Sequence, residues 1–144
     1  MMEDDQRGGG SGDAARVQRL EAIIDEHGWP TQDLVGRDGG DAAWVIAQHA
    51  DLYPEFQERA LGLLRQAVAD GQASPGNLAY LEDRVAVANG QPQTYGTQVG
   101  CTDSGPKPST PIADRATVDQ RRKAAGLDPL DSYIEEMTAI CSGG

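Results

Sequence analysis

With 144 residues the chain is long enough for one real hydrophobic core and has no room for several domains of ordinary size. Apolar residues make up 38% and aromatic residues only 5%, so that core must rest on Leu, Ile, Val and Ala. A net charge of -11 repels polyanions, which argues against nucleic acid and anionic membranes as partners.

Residues 1–12 read as a disordered lead, because Gly8-Gly9-Gly10-Ser11-Gly12 has the composition of a flexible linker. The rest, 13–144, is expected to form one small, mainly α domain, a helical bundle. Asp13 is a plausible N-cap for the first helix. Val17, Leu20 and Ile24 then recur at three and four residues, giving one apolar stripe. Gly28 should stop that helix, and Trp29-Pro30 forces an extended exit. Trp29 to Gly40 reads as a loop, with Asp41 capping a second helix that runs to about Ala50.

Pro54 opens a third helix whose buried face is Phe56, Ala60, Leu63, Leu64, Ala67 and Val68, closed by Gly71. Ser74-Pro75 is an N-cap followed by proline at the first helical position. The fourth helix carries Leu78, Leu81, Val85 and Ala88 and stops at Asn89-Gly90. Residues 91–99 look irregular or briefly β. Gly100 to Pro111 is rich in Gly, Ser, Thr and Pro and reads as a loop. Thr117-Val118-Asp119-Gln120 fits a capping box for a short helix ending at Gly126. Asp128-Pro129 should cap the last helix, with Leu130, Ile134, Met137 and Cys141 on one face.

Three polar constellations interrupt this pattern. His49 shares a helical face with Ala42, Val45 and Leu52, so it is expected to point inward, where an imidazole serves acid–base chemistry. Asp51 is placed to cap the third helix. His49 and Asp51 together are too few to hold a metal, and His27, beside a Gly-Trp-Pro turn, is expected to be exposed. Asp83 and Arg84 form the second constellation. A carboxylate on the close-packing face with Ala79 and Ala86 needs a partner such as His49 or a backbone amide, and Arg84 needs a carboxylate of the protein or an anionic ligand. In the third, Gln91, Gln93, Tyr95 and Thr97 alternate, and Gly96 permits close backbone approach beside Tyr95, Thr97 and Gln98. That set suits either a solvent-facing strip or an amide-and-hydroxyl lining for a small polar ligand.

Cys101 and Cys141 lack metal-ligand spacing and are expected to be free thiols in a reducing cytosol. The acidic opening Met1-Met2-Glu3-Asp4-Asp5 lacks the basic and apolar regions of a secretion signal, and no apolar run approaches the roughly 18 residues of a membrane span. Cytoplasmic residence is the expectation. No phosphate loop, zinc-protease helix or nucleophile elbow is present in the sequence.

Gly28-Trp29-Pro30, Val35-Gly36, Ala42-Ala43-Trp44, Gln48-His49-Ala50-Asp51, Ala79 to Arg84, Gln93 to Gln98, Val118 to Arg122 and Gly126 to Leu130 together resemble a bacterial domain-of-unknown-function family, number 6624 in the usual listing. The resemblance covers about Gly28 to Tyr133 and carries no assigned activity. It implies that His49, Asp51, Asp83, Arg84, Gln93, Tyr95, Thr97 and Gln98 belong to motifs.

The leading expectation is a small enzyme of hydrolase or lyase type working without metal or cofactor on a small polar, anionic or amide-bearing molecule. His49, Asp83 and Tyr95 would be catalytic, with Asp51, Arg84, Gln93, Thr97 and Gln98 binding substrate. The alternative is a non-catalytic binding or interaction protein in which these residues form a structural network. Geometry separates the two: an enzyme needs an open site, and a structural network is sealed with its polar atoms paired inside the protein.

Overall fold

Val17, Leu20 and Ile24 are all at most 4% exposed, as their spacing predicts, and they form the buried stripe of α1 (Gly9–His27). The computed structural model describes residues 9–143, with side chains from residue 14 onward. α1 starts four residues before Asp13, so Gly9 to Gly12 are helical despite their weak propensity. Met1 to Gly8, the remainder of the expected lead, lie outside the described residues. Gly28 ends the helix at φ +80°, and its N–H bonds to the Ile24 carbonyl at 2.8 Å.

The segment expected to be a loop folds instead as the start of α2 (Gln32–Gln48), broken at Gly36 with φ +76° and ψ 170°. The reason is tertiary. Gln72 accepts the first two N–H groups of this helix, Gln32 N through its carbonyl at 3.1 Å and Asp33 N through its side chain at 2.9 Å. Asp41 therefore sits inside the helix rather than capping it, and its carboxylate accepts a bond from Asn77 Nδ2 at 2.8 Å.

α3 (Pro54–Ala69) begins with proline and buries Phe56, Gln57, Ala60, Leu61, Leu64 and Ala67. Gly71 closes it at φ +72°. Its N-cap residue is Tyr53, with no side-chain cap bond, so Asp51 does not cap it. α4 (Pro75–Ala88) is capped as expected, with Ser74 Oγ accepting the Asn77 N–H at 3.2 Å. α1 packs on α2, and α2 on α3.

After α4 the chain runs irregularly to Gln98, with one parallel bridge between Gln93 and Ile112. The predicted loop at 100–111 is largely a β-hairpin. β1 (Val99–Thr102) pairs antiparallel with β2 (Gly105–Pro108), Val99 opposite Pro108 and Thr102 opposite Gly105. A 3-10 turn (Arg115–Thr117) leads into α5 (Val118–Ala124) and then α6 (Leu130–Gly143). Thr117 makes no cap bond to α5; its hydroxyl bonds Asp114 Oδ2 at 2.8 Å and accepts from Arg121 Nη1 at 2.6 Å. The first N–H of α6 is taken by Asp119 Oδ1 at 2.8 Å, eleven residues earlier in sequence.

α6 packs along the hairpin, and Cys101 and Cys141 are joined in a disulfide with Cα atoms 5.5 Å apart. This corrects the expectation of free thiols. The two cysteines are 40 residues apart, and only hairpin formation and the docking of α6 bring them within bonding reach. The fold is thus mainly α, with six helices and a two-stranded sheet among the described residues. It divides into two compact units, Met1–Leu81 and Glu82–Gly144.

Candidate functional site

Residues 91–98 have one isolated bridge, at Gln93, and a few other main-chain bonds in place of a ladder, so side chains supply the partners for Thr94, Tyr95 and Thr97. Asp83, on α4 and 0% exposed, supplies the acceptors. Its Oδ1 takes the N–H groups of Thr94 and Tyr95 at 2.9 and 3.1 Å. Its Oδ2 takes the Thr97 N–H at 2.9 Å and the Thr97 hydroxyl at 2.8 Å. A carboxylate has about four acceptor positions, and here four donors fill them.

The carbonyls of the same loop face arginines. Thr94 O accepts from Arg121 Nε at 2.8 Å, and Tyr95 O from Arg122 Nη1 at 2.7 Å. Arg122 is 2% exposed; it also bonds Asp128 O at 2.6 Å and lies over the Tyr133 ring at 5.2 Å. Tyr133 returns its hydroxyl to Thr97 O at 2.8 Å. Arg121 reaches the carbonyls of Ala113 and Asp114 as well. One buried anion therefore holds the amides of this loop and two cations hold its carbonyls. The charges are compensated through backbone dipoles rather than by a direct ion pair.

Gln93 is the second organiser, also 0% exposed. Its Nε2 donates to Gln98 O and Thr110 O, both at 3.0 Å, and its Oε1 accepts from Gln98 N at 2.8 Å. Its backbone bonds Pro111 O and Ala113 N, both at 2.8 Å. Gln98 closes the ring, with Nε2 to Thr97 Oγ1 at 3.1 Å and Oε1 accepting from Arg84 Nη1 at 3.1 Å. The predicted alternation of Gln91, Gln93, Tyr95 and Thr97 is not a strip with a single face: Gln93 and Thr97 are buried and Gln91 is exposed. Gly96 allows the turn, at φ +69°; a Cβ there would lie 2.8 Å from Ile112 Cδ1 and 3.2 Å from Leu130 Cδ1.

The fold thus gathers Asp83, Arg84, Gln93, Tyr95, Thr97 and Gln98 into one network within Glu82–Gly144. His49 and Asp51 belong to the other unit, and each is bonded there. His49 is exposed rather than inward, closing α2 with Nδ1 3.0 Å from the Val45 carbonyl. The face read as buried is the outer one: Val45 is 42% and Leu52 74% exposed. The true inner face carries small residues, Ala43, Ala47 and Ala50, together with Gln48. Asp51 accepts from the buried Gln57 Nε2 at 3.2 Å, and the same nitrogen reaches Ala47 O at 3.0 Å and Gln48 O at 3.3 Å. Gln57 thus serves the C-terminal carbonyls of α2 from α3.

Sequence reasoning missed Gln57, and it placed Gln48, Arg121 and Arg122 in motifs without giving them a role. The alanine spacing at 43, 47 and 50 was the signal for the two glutamines, because small residues mark where two helices approach closely. Trp44 meets Tyr80 edge-on at 6.2 Å, and Gln48 Nε2 donates to Tyr80 O at 3.3 Å. Trp44 Nε1 and Gln48 Oε1 are the buried side-chain polar atoms without a hydrogen-bond partner among the described residues. Among those residues no three His, Cys, Asp or Glu side chains are gathered closely enough to hold a metal ion.

Sequence comparison assigns the class. The sequence model of a family of unknown function, DUF6624, matches residues 6–141, and the chain belongs to that family. No curated protein and no solved structure matches the chain.

Proposed function

We propose that the protein is a non-catalytic binding module in which the polar motif of Asp83, Gln93, Thr97 and Gln98 is scaffold. The observation that carries this reading is Asp83: a wholly buried carboxylate whose four acceptor positions are occupied by donors of its own chain. A general base needs a free lone pair aimed at a reacting proton. Gln93 supports the same reading, since both amide hydrogens and the amide oxygen are engaged internally. His49, the side chain best suited to proton transfer, lies on a solvent-facing helix end with one ring nitrogen on a main-chain carbonyl.

The Cys101–Cys141 disulfide favours an oxidising compartment over the reducing cytoplasm. No helix of the described residues is long and apolar enough to cross a membrane.

The experiment is a pair of substitutions. Asp83→Asn keeps one acceptor and turns an NH2 group toward the Thr97 N–H. It should cost about 3 kcal/mol, or roughly 10 °C in melting temperature. His49→Ala, on an exposed side chain, should stay within about 0.5 kcal/mol and roughly 2 °C. An Asp83→Asn protein as stable as the parent would sink the scaffold reading and return Asp83 to the list of residues held for chemistry.

A further inference from the structure

α1 and α2 leave an open groove between them, wholly inside the first unit, with a volume of about 250 Å³. Its floor is Leu20 and Ala43, both buried, with the half-buried Ile46. Its rim is unusual for a soluble surface: Ile23 is 37% and Val35 45% exposed, and Ala42 is exposed beside them. The Gly36 break re-aims the start of α2, and Gly39 lacks the Cβ that would come within 2.8 Å of Val35 Cβ. Glycine at 39 is what lets the Val35 side chain lie along that wall.

Among the described residues two charged side chains line the groove, Arg16 and Arg19, and both are cationic on a chain of net charge -11. They are three residues apart on α1 and so share a face. Arg16 already has a partner within the chain, so the exposed Arg19 is the head-group residue. The volume falls below the roughly 300–1,000 Å³ of sites for drug-sized ligands, which suits one short chain rather than a two-tailed lipid. An apolar trough flanked by a guanidinium has the chemistry of an apolar tail ending in a carboxylate.

We propose that this groove binds a short-chain aliphatic carboxylate, its tail between Ile23, Val35 and Ala42 and its head group on Arg19. The proposal rests on the binding-module reading and supplies its ligand class.

The test is an NMR titration of the full chain with octanoate, kept below its micelle concentration. Parallel titrations use acetate, octan-1-ol and octylammonium. Octanoate should give saturable amide shifts centred on Ile23, Val35, Gly39 and Ala42. Acetate should give none, and the alcohol and the amine should bind roughly tenfold or more weakly, the worth of one charge-assisted contact. Arg19→Glu should cause a loss of similar size. Ala42→Phe fills the groove from an exposed position and should abolish the shifts. If that variant melts early, Ile23→Ser at the exposed rim makes the same test. Absence of saturable shifts overturns the proposal, as does equal binding of octanoate and octylammonium or binding that survives both groove variants. Such failures leave the Asp83 and His49 results standing, so they are distinguishable from failure of the scaffold reading.

Discussion

The two units of this chain are held together by different physics. Residues 9–81 form helices whose contacts are chiefly apolar stripes, with Gln48 and Gln57 buried among them: Val17, Leu20 and Ile24 on α1, Ala43 and Ala47 on α2, and Phe56, Ala60 and Leu64 on α3. Residues from Glu82 onward bury Asp83, Gln93, Thr97, Gln98 and Arg122, and add a disulfide. Their loop is ordered by side chains standing in for the ladder partners that its backbone lacks. An apolar stripe tolerates repacking, because dispersion and burial have no direction. A buried polar network does not, because each removed partner strands another group. The second unit should therefore be the more brittle toward conservative polar changes, as the Asp83→Asn test already asks.

Three further measurements bear on that contrast. The largest effect is expected from the double substitution Cys101→Ser and Cys141→Ser. Opening a link across 40 residues should cost about 4 kcal/mol on the chain-entropy account, measured by urea denaturation. Amide exchange should rise across the hairpin and α6 before it rises in α1 to α3. A uniform rise would show that the two units do not open independently. Next comes Leu64→Ala in the first unit, where a side chain only 1% exposed leaves a cavity. It should cost about 3 kcal/mol in the same assay. A Leu64→Ala loss well above that of Asp83→Asn would reverse the order of brittleness. The smallest of the three is Gly96→Ala, where the added Cβ meets Ile112 Cδ1 at 2.8 Å and φ is +69°. Strain and contact together should cost about 2 kcal/mol, seen as a melting shift of roughly 6 °C. A neutral result would mean that the loop yields to admit a side chain, and that its bonds to Asp83 are looser than their distances imply.

Much of the first unit was legible because helices are local. The stripe of α1, most of that of α3, the stops at Gly28 and Gly71, and the Ser74 cap all follow from spacing and residue type within a turn or two, whereas the expected stripe of α4 holds only at Leu81 and Val85, since Ala88 is exposed and Leu78 half-buried. Even there, the face of α2 was misread: large Val45 and Leu52 outweighed the alanines in the pattern, although the alanines are what allow close approach. The start of α2 was hidden because its first two donors are satisfied by Gln72, about 40 residues away.

The residue types and the family resemblance singled out Asp83, Gln93, Thr97 and Gln98, and three of the four are buried below 4% exposure, with Gln98 at 9%. The sequence could not say which groups they meet, because a side chain's identity does not state which donor fills its lone pairs. Those partners are tertiary: Asp83 meets amides 11 to 14 residues away, Tyr133 meets a carbonyl 36 residues away, and Cys101 meets Cys141 at 40. Short-range periodicity determined the helices. Partners that exist only once the chain has closed on itself decided which groups the polar side chains hold.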